Sequence, residues 1–255
     1  MKQLMRYKII SGRVVEKRDV LMEVTRTRKP RGGRKGKSTI KQVERNERES
    51  VLALARFLNC NYRGGDLFLT LKYSDGRLPA DRAEAKRIAK NFIRRLARAY
   101  RKKHGKALIW ALVTADRSSK TGDPVRLHHH VVLNAMDWEL IAANWPADEF
   151  SCRHLDDSGD YTAVARYMVR NAGYGRGEQC WSSAKKGAKR PVYSTPVPVQ
   201  QAGSVRVPKE ARIVERELHE SAENGFSAAY IRYIMPRERA EQSHTGRKAG
   251  GRQDE

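Results

Sequence analysis

Three apolar runs constrain the fold of this chain more than any other feature: "LFLTL" from Leu67, "ALIWALV" from Ala107, and "HVVL" ending at Leu133. In the first, Leu67, Leu69 and Leu71 alternate with Phe68 and Thr70, the period-two pattern of a buried strand. Between the first and second runs lies "ADRAEAKRIAKNFIRRLARAYRKKHG". Its apolar stripe (Ile88, Phe92, Leu96, Ala99) has helical spacing, and Gly105 supplies a C-terminal stop. The second and third runs are joined by "RSSKTGDP", a polar turn rich in breakers, so the third strand is expected to return antiparallel to the second. Two shorter helices follow, "WELIAANW" and "DYTAVARYMVRNA", the latter with Asp160 as its N-cap. The order strand, helix, strand, turn, strand, helices implies an α+β class: one mainly antiparallel sheet, helices packed on one face, the other face open to a ligand.

The flanks read differently. "YKIISGRVVEK" alternates and turns at Gly12 as a hairpin would. Arg26 to Lys41 is rich in Lys, Arg and Gly and contains no acid, so it cannot supply a core face and reads as a flexible basic arm. Val51, Leu54, Ala55 and Leu58 then recur at helical spacing within Val43 to Leu58. Beyond Trp181 the chain becomes Pro-rich and basic; a last helix is expected over Lys209 to Asn224, followed by a polar, disordered tail from Arg237. The resulting division is 1–41 for hairpin and arm, 42–195 for the central domain, and 196–255 for the C-terminal helix and tail.

Charge narrows the choice of partner. The chain carries 52 Lys and Arg against 29 Asp and Glu, a net charge of +23. A surplus of this size suits a polyanion, of which nucleic acid is the commonest. Arg26, Arg28, Lys29, Arg31, Arg34, Lys35 and Lys37 of the arm, with Arg126, are the candidate DNA contacts. No apolar run approaches the roughly 18 residues of a spanning helix and no signal peptide opens the chain, so no membrane association is expected. Cys60, Cys152 and Cys180 form no C-x-x-C pair, and reduced thiols in the cytoplasm are the simplest reading.

The candidate chemistry lies in "RLHHHVVLNA", Arg126 to Ala135. In a strand, His128 and His130 point the same way, roughly 6.6–7 Å apart along the chain, while His129 points to the other face. Two imidazoles on one rigid strand can converge on a first-row divalent cation. Asp116, at the end of the preceding strand, is the candidate third ligand. The plainer alternative is an ordinary strand edge. Downstream, Tyr167 and Arg170 stand three apart and share a helix face. A phenol beside a cation-activated phosphate can attack phosphorus, and a guanidinium can neutralise the phosphate. The plainer reading of Tyr167 is a core aromatic. Cys152 and His154 form a C-x-H that could also hold zinc.

Taken in order, "FLTLKY", "RLHHHVVL" and "YMVRN" resemble the motifs of the rolling-circle replication initiators of phages and bacterial mobile elements, within the His-hydrophobe-His endonuclease superfamily. The resemblance spans roughly Ile40 to Pro191. It implies a ferredoxin- or RRM-like core, Mg²⁺ or Mn²⁺ held by His128 and His130, and Tyr167 as the nucleophile. Tyr167 would nick one DNA strand, leaving a 3′-hydroxyl and a 5′-phosphotyrosine. It also implies single-stranded or origin DNA as substrate, with a helicase and polymerase of a bacterial host as partners, since no nucleotide-binding glycine loop is present. Four departures stand out, the first being His129 in the middle of the triplet, where the family often carries a bulky apolar residue. Arg170 replaces the usual lysine of Y-x-x-K, the acid sits at Asp116 rather than Ala115, and Ala163 stands where two-tyrosine members carry a second tyrosine. The alternatives are a non-catalytic nucleic-acid binder and a conjugative relaxase; relaxases commonly place the histidine cluster after the tyrosine.

Overall fold

A computed structural model describes residues 2–23, 40–145, 148–173, 178–221 and 226–237. The chain divides into two compact units, one of Met1–Lys37 with Arg190–Glu255 and the other of Ser38–Lys189. The two flanks, expected as separate segments, therefore belong to one unit. Strand pairing is the physical reason.

In that unit β1 (Lys2–Ser11) and β2 (Val14–Glu23) form the expected hairpin. Gly12 takes a left-handed φ of 58° at the turn, a conformation glycine adopts without a Cβ penalty. The other pairings come from the far end of the chain, so the sheet runs β10-β11-β2-β1-β8, with β9 also on β1. In the second unit α1 is Ile40–Asn61, β3 Leu67–Tyr73, α2 Arg82–His104, β4 Trp110–Arg117, β5 Pro124–Leu133, α3 Trp138–Ala142, β6 Asp148–His154, α4 Thr162–Asn171 and β7 Ser182–Ser183. The first unit then resumes with β8 (Val192–Tyr193), β9 (Val197–Pro198), β10 (Arg212–Ser221) and β11 (Phe226–Ile234).

Where a helix is expected over Lys209 to Asn224, Arg212–Ser221 forms a strand, and 222–224 lie outside the described residues. β10 pairs with β11 at the sheet edge, and its exposure alternates residue by residue from Glu215 to Leu218. An edge strand rich in charge carries little apolar alternation, so periodicity could not separate it from a polar helix. β6 was also not foreseen, and it completes the site described below.

The second unit has the expected α+β class, with every strand antiparallel in the order β6-β3-β5-β4-β7. Its helices, however, lie against both faces of the sheet rather than one. Leu67, Leu69, Leu71, Leu112, Val131 and Leu133 pack with Ala89, Phe92, Ile93 and Leu96 of α2 and Ile141 of α3. On the other face Phe68, Ala111, Val113 and Val132 pack with Leu54, Phe57 and Leu58 of α1 and Ala165, Met168 and Val169 of α4. Strands apolar on both faces need cover on both, as these have. Each fully buried Leu or Phe contributes roughly 1.5–3 kcal/mol relative to exposure.

Candidate active site

β5 is a central strand, bonded to β3 on one side and β4 on the other, which fixes its two histidine-bearing faces. His130 lies opposite Thr70 and Val113, and His128 opposite Ala115. Their Nε2 atoms converge to 3.2 Å. His128 Nδ1 donates to the Arg126 carbonyl at 2.8 Å, so in the neutral ring Nε2 carries the lone pair. His130 Nδ1 meets the Thr70 hydroxyl at 3.3 Å. Backbone carbonyls and hydroxyls on the outer nitrogen are the usual means of orienting a ligating imidazole. At bond lengths of about 2.1 Å, ligands this far apart subtend an angle of about 100° at a shared cation. The pair therefore fits two adjacent positions of one coordination sphere. Burial, then the neighbouring His128, His129 and Arg153 charges, push the His130 pKa down to about 3. Burial lowers that of His128 too, against the Arg126 carbonyl and Asp116. Both rings are neutral at pH 7, as ligation requires.

His129 points to the opposite face, as the strand period implies. It is fully buried, with Nε2 2.6 Å from the Tyr73 hydroxyl and Nδ1 3.1 Å from that of Thr114. Its role is structural.

Tyr167 stands beside the pair. Its ring centroid is 4.9 Å from that of His130 and 6.1 Å from that of Phe68, and it is 38% exposed. The helix packs through Ala165, Met168 and Val169 instead, so Tyr167 is not the core aromatic of the plainer reading. Tyr161 is fully committed elsewhere: it is buried and its hydroxyl donates to the Asp156 carbonyl at 3.0 Å. The N-cap of α4 is Tyr161 rather than the expected Asp160, which stands one place earlier; its Oδ1 accepts from the Thr162 amide at 3.1 Å and hydroxyl at 2.6 Å. Phe68, Thr70, Ser151, Cys152, Arg153, Ala163, Val164 and Tyr167 line an open cavity of about 480 Å³.

Other expected site residues lie elsewhere. Asp116 falls at a bulge between Ala115 and Arg117, which turns its side chain out of the ladder. One oxygen accepts from Arg82 at 2.7 Å and the other from the Gly173 amide at 2.6 Å. Among the described residues no group of three or more His, Cys, Asp or Glu is placed to hold a metal, and Asp116 is not grouped with the two histidines. Asp116 instead ties the end of β4 to the start of α2 and to the segment after α4. Arg170 pairs with Glu47 of α1 at 3.2 Å, both side chains partly exposed, rather than facing the histidines. Arg126 binds Asp75 at 2.5 Å and the Tyr73 carbonyl at 2.7 Å. The arm residues Arg26, Arg28, Lys29, Arg31, Arg34, Lys35 and Lys37 lie outside the described residues. His154 Nδ1 meets the Gly65 carbonyl, and Cys152 lies in no such donor group.

The residue that sequence reading missed is Arg153. It lies opposite Phe68 on β6, its guanidinium 4.5 Å from the Phe68 ring centroid at the cavity wall. Glu149, Ser151 and Arg153 alternate with Phe150 and Cys152, a period-two signal that could have revealed the strand. No helix among the described residues is long and apolar enough to cross a membrane. No protein-family model matches the chain, and no curated protein or solved structure matches it either.

Proposed function

We propose that the 38–189 unit is a metal-dependent, site-specific single-strand DNA nickase and strand transferase that initiates rolling-circle replication, working with a host helicase and polymerase. The observation that carries this reading is the placement of an exposed tyrosine against a converging pair of neutral histidines. In the proposed reaction the Tyr167 oxygen attacks phosphorus. The Oη–P bond forms as the P–O3′ bond breaks, the phenolic proton passes to solvent, and the departing 3′-oxygen takes a proton. The phosphotyrosine stores the bond energy, so a later 3′-hydroxyl can reverse the step and join strands. His128 and His130 would hold Mg²⁺ or Mn²⁺, which when bound supplies charge stabilisation at the phosphate oxygens. Thr70 and the Arg126 carbonyl hold the two rings in register, while the Phe68 ring supports Tyr167 and His130 from beneath.

The test uses single-stranded DNA carrying the gene for this chain and its flanks, incubated with the full chain and Mn²⁺. A covalent protein–DNA adduct on a denaturing gel, absent in EDTA and in Tyr167→Phe, is the expected result. No adduct from the unaltered protein overturns the reading and leaves a nucleic-acid binder.

A further inference from the structure

The long helix α2 carries a charge pattern that neither the sheet nor the site uses. Of its 23 residues, ten are Lys or Arg and one, Glu84, is acidic. Several cations are occupied: Arg82 with Asp116, Lys86 with Glu178, Arg87 with Glu84, and Lys103 with Asp137. Lys90, Arg94, Arg98 and Arg101 are exposed, and their side chains have no ion pair or hydrogen bond among the described residues. At 100° per residue these four fall within an arc of about 80°, and at 1.5 Å per residue they span about 16 Å of helix.

The pattern works against the helix that carries it. Like charges four apart, as Lys90 with Arg94 and Arg94 with Arg98, weaken a helix. Attraction to the negative end of the helix dipole is confined to the last turn, where Arg101 and its successors lie, so it does not explain Lys90, Arg94 or Arg98. The ordinary solvated face of a helix mixes both signs.

We propose that this stripe is a binding track for the phosphate backbone of duplex DNA. It sits on the helix layer that covers the Leu69, Leu71 and Leu133 face of the sheet, opposite the face that carries His128, His130 and Tyr167. Its chemistry selects among polyanions. Single strands are held by cations interleaved with aromatic platforms. The aromatic residues of α2, Phe92 and Tyr100, are buried in the core and offer none. An interfacial membrane helix must insert its apolar side. Here Ala85, Ala89, Phe92, Ile93, Leu96 and Tyr100 are packed away, leaving no large apolar side chain fully exposed on the helix. A duplex presents phosphates outward with its bases stacked inside, and cations alone suffice for it. This inference is independent of the nickase reading.

The experiment replaces Lys90, Arg94, Arg98 and Arg101 with Gln, a good helix former, in the full chain. A control variant carries Gln at four other exposed lysines of the same unit: Lys106, Lys120, Lys185 and Lys186. Unaltered far-ultraviolet dichroism establishes that each variant folds. Fluorescence anisotropy with a labelled 20-base-pair duplex is followed across a salt series. The log–log slope should fall by roughly 3 to 4 in the α2 variant, at about 0.9 per lost phosphate contact. It should fall by less than 1 in the control. Equal falls in both variants overturn the proposal, because net charge alone would then account for binding. So does an unchanged slope, or a loss confined to labelled dT20 or to phosphatidylserine vesicles.

Discussion

Replacing His129 with Gln tests whether the middle histidine is a structural, permanently neutral group. Burial, with the His128 and Arg82 charges, depresses its pKa in the folded chain to about 3, against about 6.5 for an unperturbed imidazole. The folded pKa lies below the unfolded one, so the stabilising contribution is complete above pH 6.5. It is lost as pH falls from 6.5 toward 3, because only the unfolded chain takes up the proton. Each pH unit inside that window costs about 1.4 kcal/mol, so acidification from pH 7 to pH 5 costs about 2 kcal/mol for this one group. His130 adds a similar loss through the same cause. Gln can replace the contacts to Tyr73 and Thr114 but takes up no proton. The acid-induced loss in His129→Gln should therefore be smaller than in the unaltered chain by about 2 kcal/mol. At roughly 3 °C per kcal/mol for a unit of this size, the drop in Tm between pH 7 and 5 should shrink by about 6 °C. All four tryptophans (Trp110, Trp138, Trp145, Trp181) lie in the 38–189 unit, so tryptophan fluorescence in EDTA reports its unfolding alone. The same drop in both proteins would refute the argument.

Other expectations concern the site. Tyr167→Phe should bind single-stranded DNA normally and form no adduct, whereas Tyr161→Phe should keep the adduct and lose roughly 1 kcal/mol of stability with its bond to Asp156, as read by peptide mass spectrometry and melting. His128→Ala and His130→Ala should each abolish Mn²⁺-dependent nicking with duplex affinity nearly unchanged; retained nicking would remove the pair from the mechanism. Asp116→Ala should cost about 2–3 kcal/mol by leaving Arg82 Nη1 and the Gly173 amide without their carboxylate, yet leave Mn²⁺ affinity by calorimetry unaltered. Gly173→Ala should cause a similar loss, because its Cβ would sit 2.0 Å from Asp116 Oδ1, and the two losses should not add. Arg170→Ala should reduce the adduct rate less than threefold, since its side chain is held by Glu47.

Much of the central unit was legible because its signals are local. The period of two in β3 and β5 put His128 and His130 on one face and His129 on the other. What escaped was set by tertiary pairing. Asp116 looked like a ligand from its place at a strand end, but a one-residue bulge redirects a side chain without leaving a mark in composition. Arg170 shares a helix face with Tyr167, yet Glu47, more than a hundred residues earlier, holds it. β11 reaches its partner β2 across almost the whole chain, beyond any window of periodicity, and β10 joins the sheet only through β11. Arg153 lay in a seven-residue edge strand whose alternation is legible but rests on Phe150 and Cys152 alone.

The two halves of the site differ in how they are held. His130 belongs to a strand bonded along both sides, so its amide can exchange with solvent only when the sheet itself comes apart. Tyr167 belongs to a helix of ten residues, below the length that sustains a helix in water, docked through a few apolar side chains onto α1 and the sheet. Opening of that helix is expected to require less free energy than opening of the sheet. Under the proposed reaction, a DNA end joined to Tyr167 would ride on the element expected to open first, above the strand expected to open last. Amide exchange should display the asymmetry directly, fast and partial through α4, slow and global through β5.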